Sequence, residues 1–422
     1  MKHIRYIKNT FYCEDVLLTE LAEEYGTPLY VYSKHEILDS FRSIREALGG
    51  GENLVCYALK ANSNPSILKM LVDEGAGADV VSAGELFLAL RAGFAPEKIA
   101  FAGVGKREDE IEYALEQNIC FFNAESTAEL QLLSLSAVRA NKRTNVSIRV
   151  NPDIDAQSHP YITTGLNSSK FGVEAAKALD VFRFAASLPN LDIIGVHTHI
   201  GSQIIKQEPF VATALFVAEL VATLRTAGIK ISHIDFGGGF GVKYLNAVTH
   251  EGLPKEDPQH EFIPSPAQIV SAVLPTLQQT GCSLWLEPGR SIVAEAGLLL
   301  TKVLFRKENG SKKFLVVDAA MNDLIRPALY QAHHQIVPAN IDTYEHERVD
   351  VVGPVCETGD FLAKDRLLTK SRQGDVLAIL TAGAYGFVNT SNYNARLRPA
   401  EVLVNGDRVR LIRSRQTFED LL

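Results

Sequence analysis

Hydrophobic and polar positions change period along this chain, and the change divides it. From about residue 36 to residue 296, short β-rich apolar runs alternate with stretches whose apolar residues recur every three or four positions. The first pattern reads as buried strands, the second as helices with one buried face. The predicted strands are Asn53–Ala61, Ala78–Ala83, Ile99–Gly103, Ile119–Glu125, Asn145–Asn151, Ile193–His199, Ile231–Phe236 and Ser283–Glu287. Between them lie helical segments such as PSILKMLVDEG, AGELFLALRAG, REDEIEYALEQN and VEAAKALDVFRFAASL, and Gly75, Gly93, Gly228 and Gly281 read as helix stops.

Eight strands alternating with helices over about 260 residues is the signature of a (β/α)₈ TIM-type barrel. A doubly wound open sheet is the alternative, but no GxGxxG opens a helix after the first strand. Beyond Ala296 the text turns β-rich without long helices: LLLTKVLF, KKFLVVDAAM, RVDVVGP, DVLAIL and EVLVNGDRVRLI. The NGD between two alternating runs is a hairpin signal. The expected organisation is therefore an α/β barrel over 36–296. The second expected domain, 1–35 plus 297–422, is an antiparallel β-sandwich or Greek-key β-barrel. PLYVYS contributes a strand to it, and Ser33 with Glu36 suggests a capping box.

Composition adds exclusions. The chain has 422 residues, 46% apolar and 22% charged, with a formal net charge of −8. An acidic balance without basic runs argues against a nucleic-acid surface or a basic membrane patch. The N-terminus lacks a signal-peptide core, and the apolar stretch Pro209–Leu224 is short and punctuated by Glu219, which reads as a buried helix. Five cysteines without a CxxC pair point to neither a disulfide framework nor a cysteine zinc site, and suggest the cytoplasm.

The unusual residues cluster where a barrel places its chemistry, at the C-terminal strand ends. YALKAN closes strand one with Lys60; a lysine there is ordinarily a surface residue, but among Cys56, Ala58 and Ala61 it would be desolvated, and a neutral amine forms Schiff bases. VHTHIGSQ closes strand six with His197 and His199. A metal pair is one alternative, but no third ligand is evident, and His199 could stack on a planar ring. DFGGGFG closes strand seven and LEPGR strand eight, at the usual phosphate position of these barrels, so Gly237, Gly238, Gly239, Gly289 and Arg290 form a candidate phosphate site. Glu287 is either an ordinary partner for Arg290 or an acceptor for a protonated pyridine nitrogen. In the β domain, Arg326, Tyr330, Cys356, Glu357 and Tyr385 stand out.

In order along the chain, YALKAN, VSAGEL, HPYITTGLNSSKFGV, HTHIGSQ, GGGFG, EPGR, MNDLIRPALY, GPVCETGD and GAYGFV…NYNARLRPAEV resemble the diaminopimelate decarboxylase family, of the alanine-racemase-like class. HTH stands where the family pattern has HCH. The resemblance spans about Tyr25 to Val404 and implies a barrel with a C-terminal β domain. It implies pyridoxal 5'-phosphate as cofactor and decarboxylation of meso-diaminopimelate to L-lysine and carbon dioxide, the last step of lysine biosynthesis. It further implies that Lys60 carries the cofactor as a Schiff base, that His199 stacks on the ring and that Glu287 binds its nitrogen. Ser202, Gly239, Gly289, Arg290 and Tyr385 would surround the phosphate. Arg290, Arg326, Tyr330, Glu357 and Tyr385 would contact the amino-acid substrate. Cys356, from the other subunit of a homodimer, would return the proton. No metal is implied. The alternatives are a related decarboxylase acting on ornithine, arginine or carboxynorspermidine, a non-catalytic cofactor-binding regulator, and a metallohydrolase.

Overall fold

Eight parallel strands close on themselves in the computed structural model, which describes residues 1–155, 169–255 and 262–422. Residues 159–168 of HPYITTGLNSSKFGV lie outside the described residues, as do residues 256–261. The chain divides into two compact units. Phe41–Gly241 with Ile263–Ser291 forms one, and Met1–Ser40, Val242–Phe262 and Ile292–Leu422 form the other.

The first unit is the barrel. Its strands are Leu54–Ala58, Gly77–Val80, Ile99–Phe101, Phe121–Ala124, Thr144–Asn151, Leu191–His197, His233–Asp235 and Ser283–Leu286. Neighbours in this order pair in parallel, and Ser283–Leu286 pairs with Leu54–Ala58 to close the ring. The strands read as near-continuous apolar runs because both faces are buried, one by the ring of helices and one by the barrel interior. Helix starts follow the sequence: the side chain of Asn64 accepts from Ser66 N ahead of Pro65–Asp73, and Ser82 and Ser126 cap Ala83–Ala92 and Thr127–Arg139. Gly93 ends its helix at φ +100°, as the glycine-stop reading requires.

All eight predicted strands are present, but most end earlier than hydropathy suggested. Lys60 is not on the first strand; it sits in the single 3₁₀ turn Leu59–Ala61 that follows. His199 and Glu287 likewise lie just beyond their strands. The strand ends are the barrel rim, where loops begin before the apolar run stops. Glu208–Thr226 is long and apolar enough by composition to cross a membrane, yet it buries Phe210, Val217, Val221 and Leu224 as a barrel helix.

The second unit is built on a mixed sheet. Its order is Phe361–Thr369, His346–Val352, Lys312–Val317, Gly297–Asn309, Leu29–Ser33, Ala400–Asn405 and Arg408–Arg413. Val376–Ile379 pairs with both Gly297–Asn309 and Ile336–Pro338. Most pairs are antiparallel, but Leu29–Ser33 with Ala400–Asn405 and Lys312–Val317 with His346–Val352 are parallel, so the sheet is not the purely antiparallel one expected. The PLYVYS strand enters between distant segments, and this long-range insertion sets its direction. The NGD turn does form a hairpin. Leu29, Val31, Leu298, Leu300, Val402 and Val404 are among its core. Ser33 Oγ accepts from Glu36 N at 3.1 Å, but the Glu36 carboxylate takes the backbone N–H groups of Lys2 and His3 instead of completing the box. Gln335 clamps the excursion Val242–Phe262 here, exchanging two 3.0 Å hydrogen bonds with the Val248 backbone.

Candidate active site

The C-terminal rim of the barrel collects an unusual density of buried ionisable groups. Register explains it. Ala58 pairs with Asp79 across the first two strands, and His197 pairs with both Arg149 and Asp235, so these residues share one level.

Lys60 Nζ donates to Asp79 Oδ2 at 2.6 Å. The Asp79 side chain is fully buried while that of Lys60 retains 37% exposure, so a hidden acid holds a lysine whose amine faces the mouth. Burial and the Glu287 carboxylate push the Asp79 carboxyl upward, and Lys60 opposes them. Asp79 Oδ1 has no hydrogen-bond partner among the described residues.

Below lies a second cluster. Ligand atoms of His197, Asp235 and Glu287 lie within 4.8 Å of one another, all buried. No third ligand for His197 is evident along the chain, because Asp235 and Glu287 come from the ends of two other strands. Burial and Glu287 push the Asp235 carboxyl well above its usual range, and the two side chains are hydrogen-bonded to each other. For Glu287, burial pushes upward too, but His197, Lys60 and the Asp235 hydrogen bond outweigh it and hold the carboxyl below the ordinary range. Asn123 Nδ2 donates to Asp235 Oδ2 at 2.8 Å and to Glu287 Oε1 at 3.3 Å. Three such ligands could hold a cation, but Asp235 and Glu287 are hydrogen-bonded to each other and both accept from Asn123. The pair is better suited to present one anionic carboxylate, Glu287, backed by neutral donors.

His199 is held as a neutral ring. Burial, then Arg149 and Lys60, keep its pKa well below the ordinary value. Gly238 N donates to its Nδ1 at 3.1 Å, so the proton resides on Nε2. Arg149, paired with buried Glu125 at 3.0 Å, donates to the His199 carbonyl at 3.3 Å and braces the segment.

The glycine loop takes a shape that only glycine allows. Gly237 and Gly239 have φ of +68° and +92°. A Cβ on Gly238 would lie 2.3 Å from the Glu287 carbonyl oxygen, and one on Gly239 2.3 Å from that of Gly201. Gly237 N–H goes to Asp235 and Gly238 N–H to His199, which withdraws these two from the phosphate site that the glycine run after strand seven suggested. Gly239 keeps its candidacy. Gly289 packs against Ala58 and Ala61, beside the Lys60 turn. Arg290 is buried, and its Nη2 donates to Ser202 Oγ at 2.9 Å, so two predicted phosphate residues are joined directly.

This set fits pyridoxal phosphate: an amine with a buried counter-ion, an anionic carboxylate backed by donors, a flat neutral imidazole, and a glycine and arginine cradle.

The remaining candidates lie in the β unit. Arg326 opens the short helix Arg326–Tyr330, buried, with Nη1 at 2.8 Å from His334 Nε2. Cys356 is exposed, its backbone N–H held by Asn394 Oδ1 at 2.7 Å. Glu357 accepts from Tyr393 Oη at 3.4 Å, so the CETGD and NYN loops meet. Tyr385 stands at φ +57°, ahead of Gly386, where a Cβ would be 2.4 Å from the Ala382 carbonyl. Sequence reasoning missed Asp79, Asn123, Arg149, Asp235 and His334. An acid within a short buried apolar run, as in GADVV and HIDFG, was the available signal for two of them.

Residues 34–294 match the family model for the pyridoxal-dependent decarboxylase pyridoxal-binding domain. The chain is 45% identical over 419 residues to the diaminopimelate decarboxylase of Aquifex aeolicus, covering 99% of this chain and 96% of that one. It is 47% identical over 410 residues to the Neisseria meningitidis serogroup A enzyme of the same name, covering 97% of each. The crystal structure of Helicobacter pylori diaminopimelate decarboxylase complexed with L-lysine superposes with a TM-score of 0.88 at 43% identity, covering 96% of this chain and 98% of that one.

Proposed function

The chain belongs to the pyridoxal-dependent decarboxylases, and within them to the diaminopimelate decarboxylases; from that premise we propose how its residues divide the work. The reaction is loss of one carboxylate from meso-diaminopimelate as carbon dioxide, with a proton taking its place to give L-lysine. What supports the assignment of residues is Lys60 Nζ at 2.6 Å from buried Asp79, on the rim that also holds His199 and Glu287.

Lys60 would carry the cofactor on Nζ. His199 would lie against one ring face; a neutral imidazole does so without repelling a protonated ring. Glu287 would accept from the ring nitrogen, with Asp235 and Asn123 fixing the carboxylate. Gly239, Gly289, Ser202, Arg290 and Tyr385 would hold the phosphate through N–H, hydroxyl and guanidinium donors. When bound, pyridoxal phosphate serves as the sink for the electron pair that carbon dioxide leaves behind.

Substrate recognition falls to Arg290, Arg326, Tyr330, Glu357 and Tyr385. An arginine fork suits the distal carboxylate, and Glu357 the distal ammonium. Cys356 would supply the proton that replaces carbon dioxide on the α-carbon. Its exposure in a single chain fits entry into the site of a second copy, and hence a homodimer. A thiol in this role must stay reduced, which fits the cytoplasm.

Two measurements test the reading. Assayed in parallel on cofactor-loaded protein, meso-diaminopimelate should be turned over far better than ornithine or arginine; the reverse order would overturn the substrate. Lys60→Ala should lose both turnover and the near-visible absorbance of bound cofactor. Retained absorbance would refute Lys60 as the attachment point.

A further inference from the structure

Arg326 does not aim itself. Its Nη1 lies 2.8 Å from Nε2 of His334, and Nδ1 of His334 lies 2.8 Å from the carbonyl oxygen of Leu380. A guanidinium can only donate and a carbonyl can only accept, so the imidazole must carry its proton on Nδ1 and keep the Nε2 lone pair for Arg326. That defines one neutral tautomer. His334 is fully buried, and Arg366 Nη1 donates to its backbone oxygen at 3.0 Å, so the ring's frame is braced too. The Tyr244 ring lies under the guanidinium, 4.8 Å from its carbon, and meets the His334 ring edge-on at 5.2 Å and 85°. Tyr244 comes from the excursion Val242–Phe262.

Both of these partners are neutral. They fix the direction of the guanidinium from two sides. We propose that His334, with Tyr244, is a positioning residue for substrate selection: it holds the Arg326 fork toward the distal carboxylate of the amino-acid substrate. The proposal rests on the reading of Arg326 as the carboxylate-binding residue.

The test uses cofactor-loaded protein and two probes, L-lysine, which keeps the distal carboxylate, and cadaverine, which lacks it. His334→Leu should raise the Kd for L-lysine and the KM for meso-diaminopimelate about tenfold, leave kcat within about threefold, and change the Kd for cadaverine by less than about twofold. His334→Gln, whose Oε1 can still accept from Arg326, should recover most of the loss. Should His334→Leu fail to fold by thermal melting, His334→Asn takes its place: its oxygen falls short of Arg326, and L-lysine should weaken relative to His334→Gln. Equal weakening of both probes would mean a merely structural histidine and would overturn the proposal. So would unchanged L-lysine binding in the His334 variants while Arg326→Gln weakens it. If Arg326→Gln itself leaves L-lysine binding unchanged, the carboxylate reading of Arg326 is what fails.

Discussion

Lys60 Nζ donates to Asp79 Oδ2 over 2.6 Å, and only the lysine end of the pair reaches solvent. The buried acid therefore sets the electrostatics of whatever nitrogen stands at that position. Replacing Asp79 by Asn removes a carboxylate next to that nitrogen, which disfavours its protonated form. In cofactor-loaded protein, Asp79→Asn should lower the pH at which the near-visible band titrates by about one unit or more. A pH series of absorption spectra measures this. An unchanged midpoint would mean that Asp79 no longer faces that nitrogen in the loaded protein.

Asp235 supplies a finer test: burial and Glu287 favour its neutral form, which makes it a hydrogen-bond donor to Glu287. Asn at this position is also a neutral donor, and its oxygen can keep one of the hydrogen bonds that Asn123 and Gly237 now give to the two oxygens of Asp235. Asp235→Asn should keep kcat within about threefold, whereas Asp235→Ala, which strips Glu287 of a buried donor, should cost about tenfold or more. Steady-state kinetics on both variants decides the matter. Comparable losses would show that a charged Asp235 is needed.

Much of this was legible in the sequence, and the illegible part has a common cause. Lys60, His199, Glu287 and the glycine loops announce themselves because each breaks a local pattern: a charge, a ring or a bare backbone where an apolar strand should end. Asp235 and Asn123 break the pattern as well, but their meaning comes from partners on other strands, and one sequence gives no register. The same holds for His334, eight positions from Arg326, whose importance depends on Leu380 and Tyr244. Strand lengths were overestimated because apolar side chains continue around the rim into the loops, as at Leu59 and Ala61. The parallel pairing of Leu29–Ser33 with Ala400–Asn405 joins residues too far apart for any hairpin signal.

Backbone crowding gives a prediction with an internal control. A Cβ on Gly238 would meet the Glu287 carbonyl oxygen at 2.3 Å, backbone against backbone, so the loop carrying Glu287 must move. Gly238→Ala should destabilise the fold by about 1–3 kcal/mol and weaken cofactor binding, because Glu287 moves with its loop. Gly84, in the helix Ala83–Ala92, would meet only Ser82 Oγ at 3.8 Å. Gly84→Ala should therefore be neutral or stabilising by about 0.5–1 kcal/mol. Thermal melting and cofactor titration of the two variants check the contrast.

Stability on the acid side should depend on His233, at the start of the seventh strand. This histidine has its ring centroid 4.7 Å from that of Phe121 and 5.1 Å from that of Trp285, and its Nδ1 2.9 Å from Ser283 Oγ. Burial, with His197 adding to it, pushes its pKa down to about 4 from an ordinary value of 6.5. Between these values the unfolded chain binds the proton and the folded one does not, so stability increases with pH across the window. The contribution is fully present above pH 6.5 and is lost as pH falls toward 4, reaching about 2 kcal/mol by pH 5 and about 3 kcal/mol at its limit. His233→Asn keeps an acceptor for Ser283 but cannot titrate. It should be less stable than wild type at pH 7.5, yet lose about 2 kcal/mol less on going to pH 5. His333, also pushed down by burial, to about 3, is common to both proteins and cancels in the difference. Urea unfolding of both proteins at the two pH values gives the comparison, and parallel losses would show that His233 is protonated in the folded barrel.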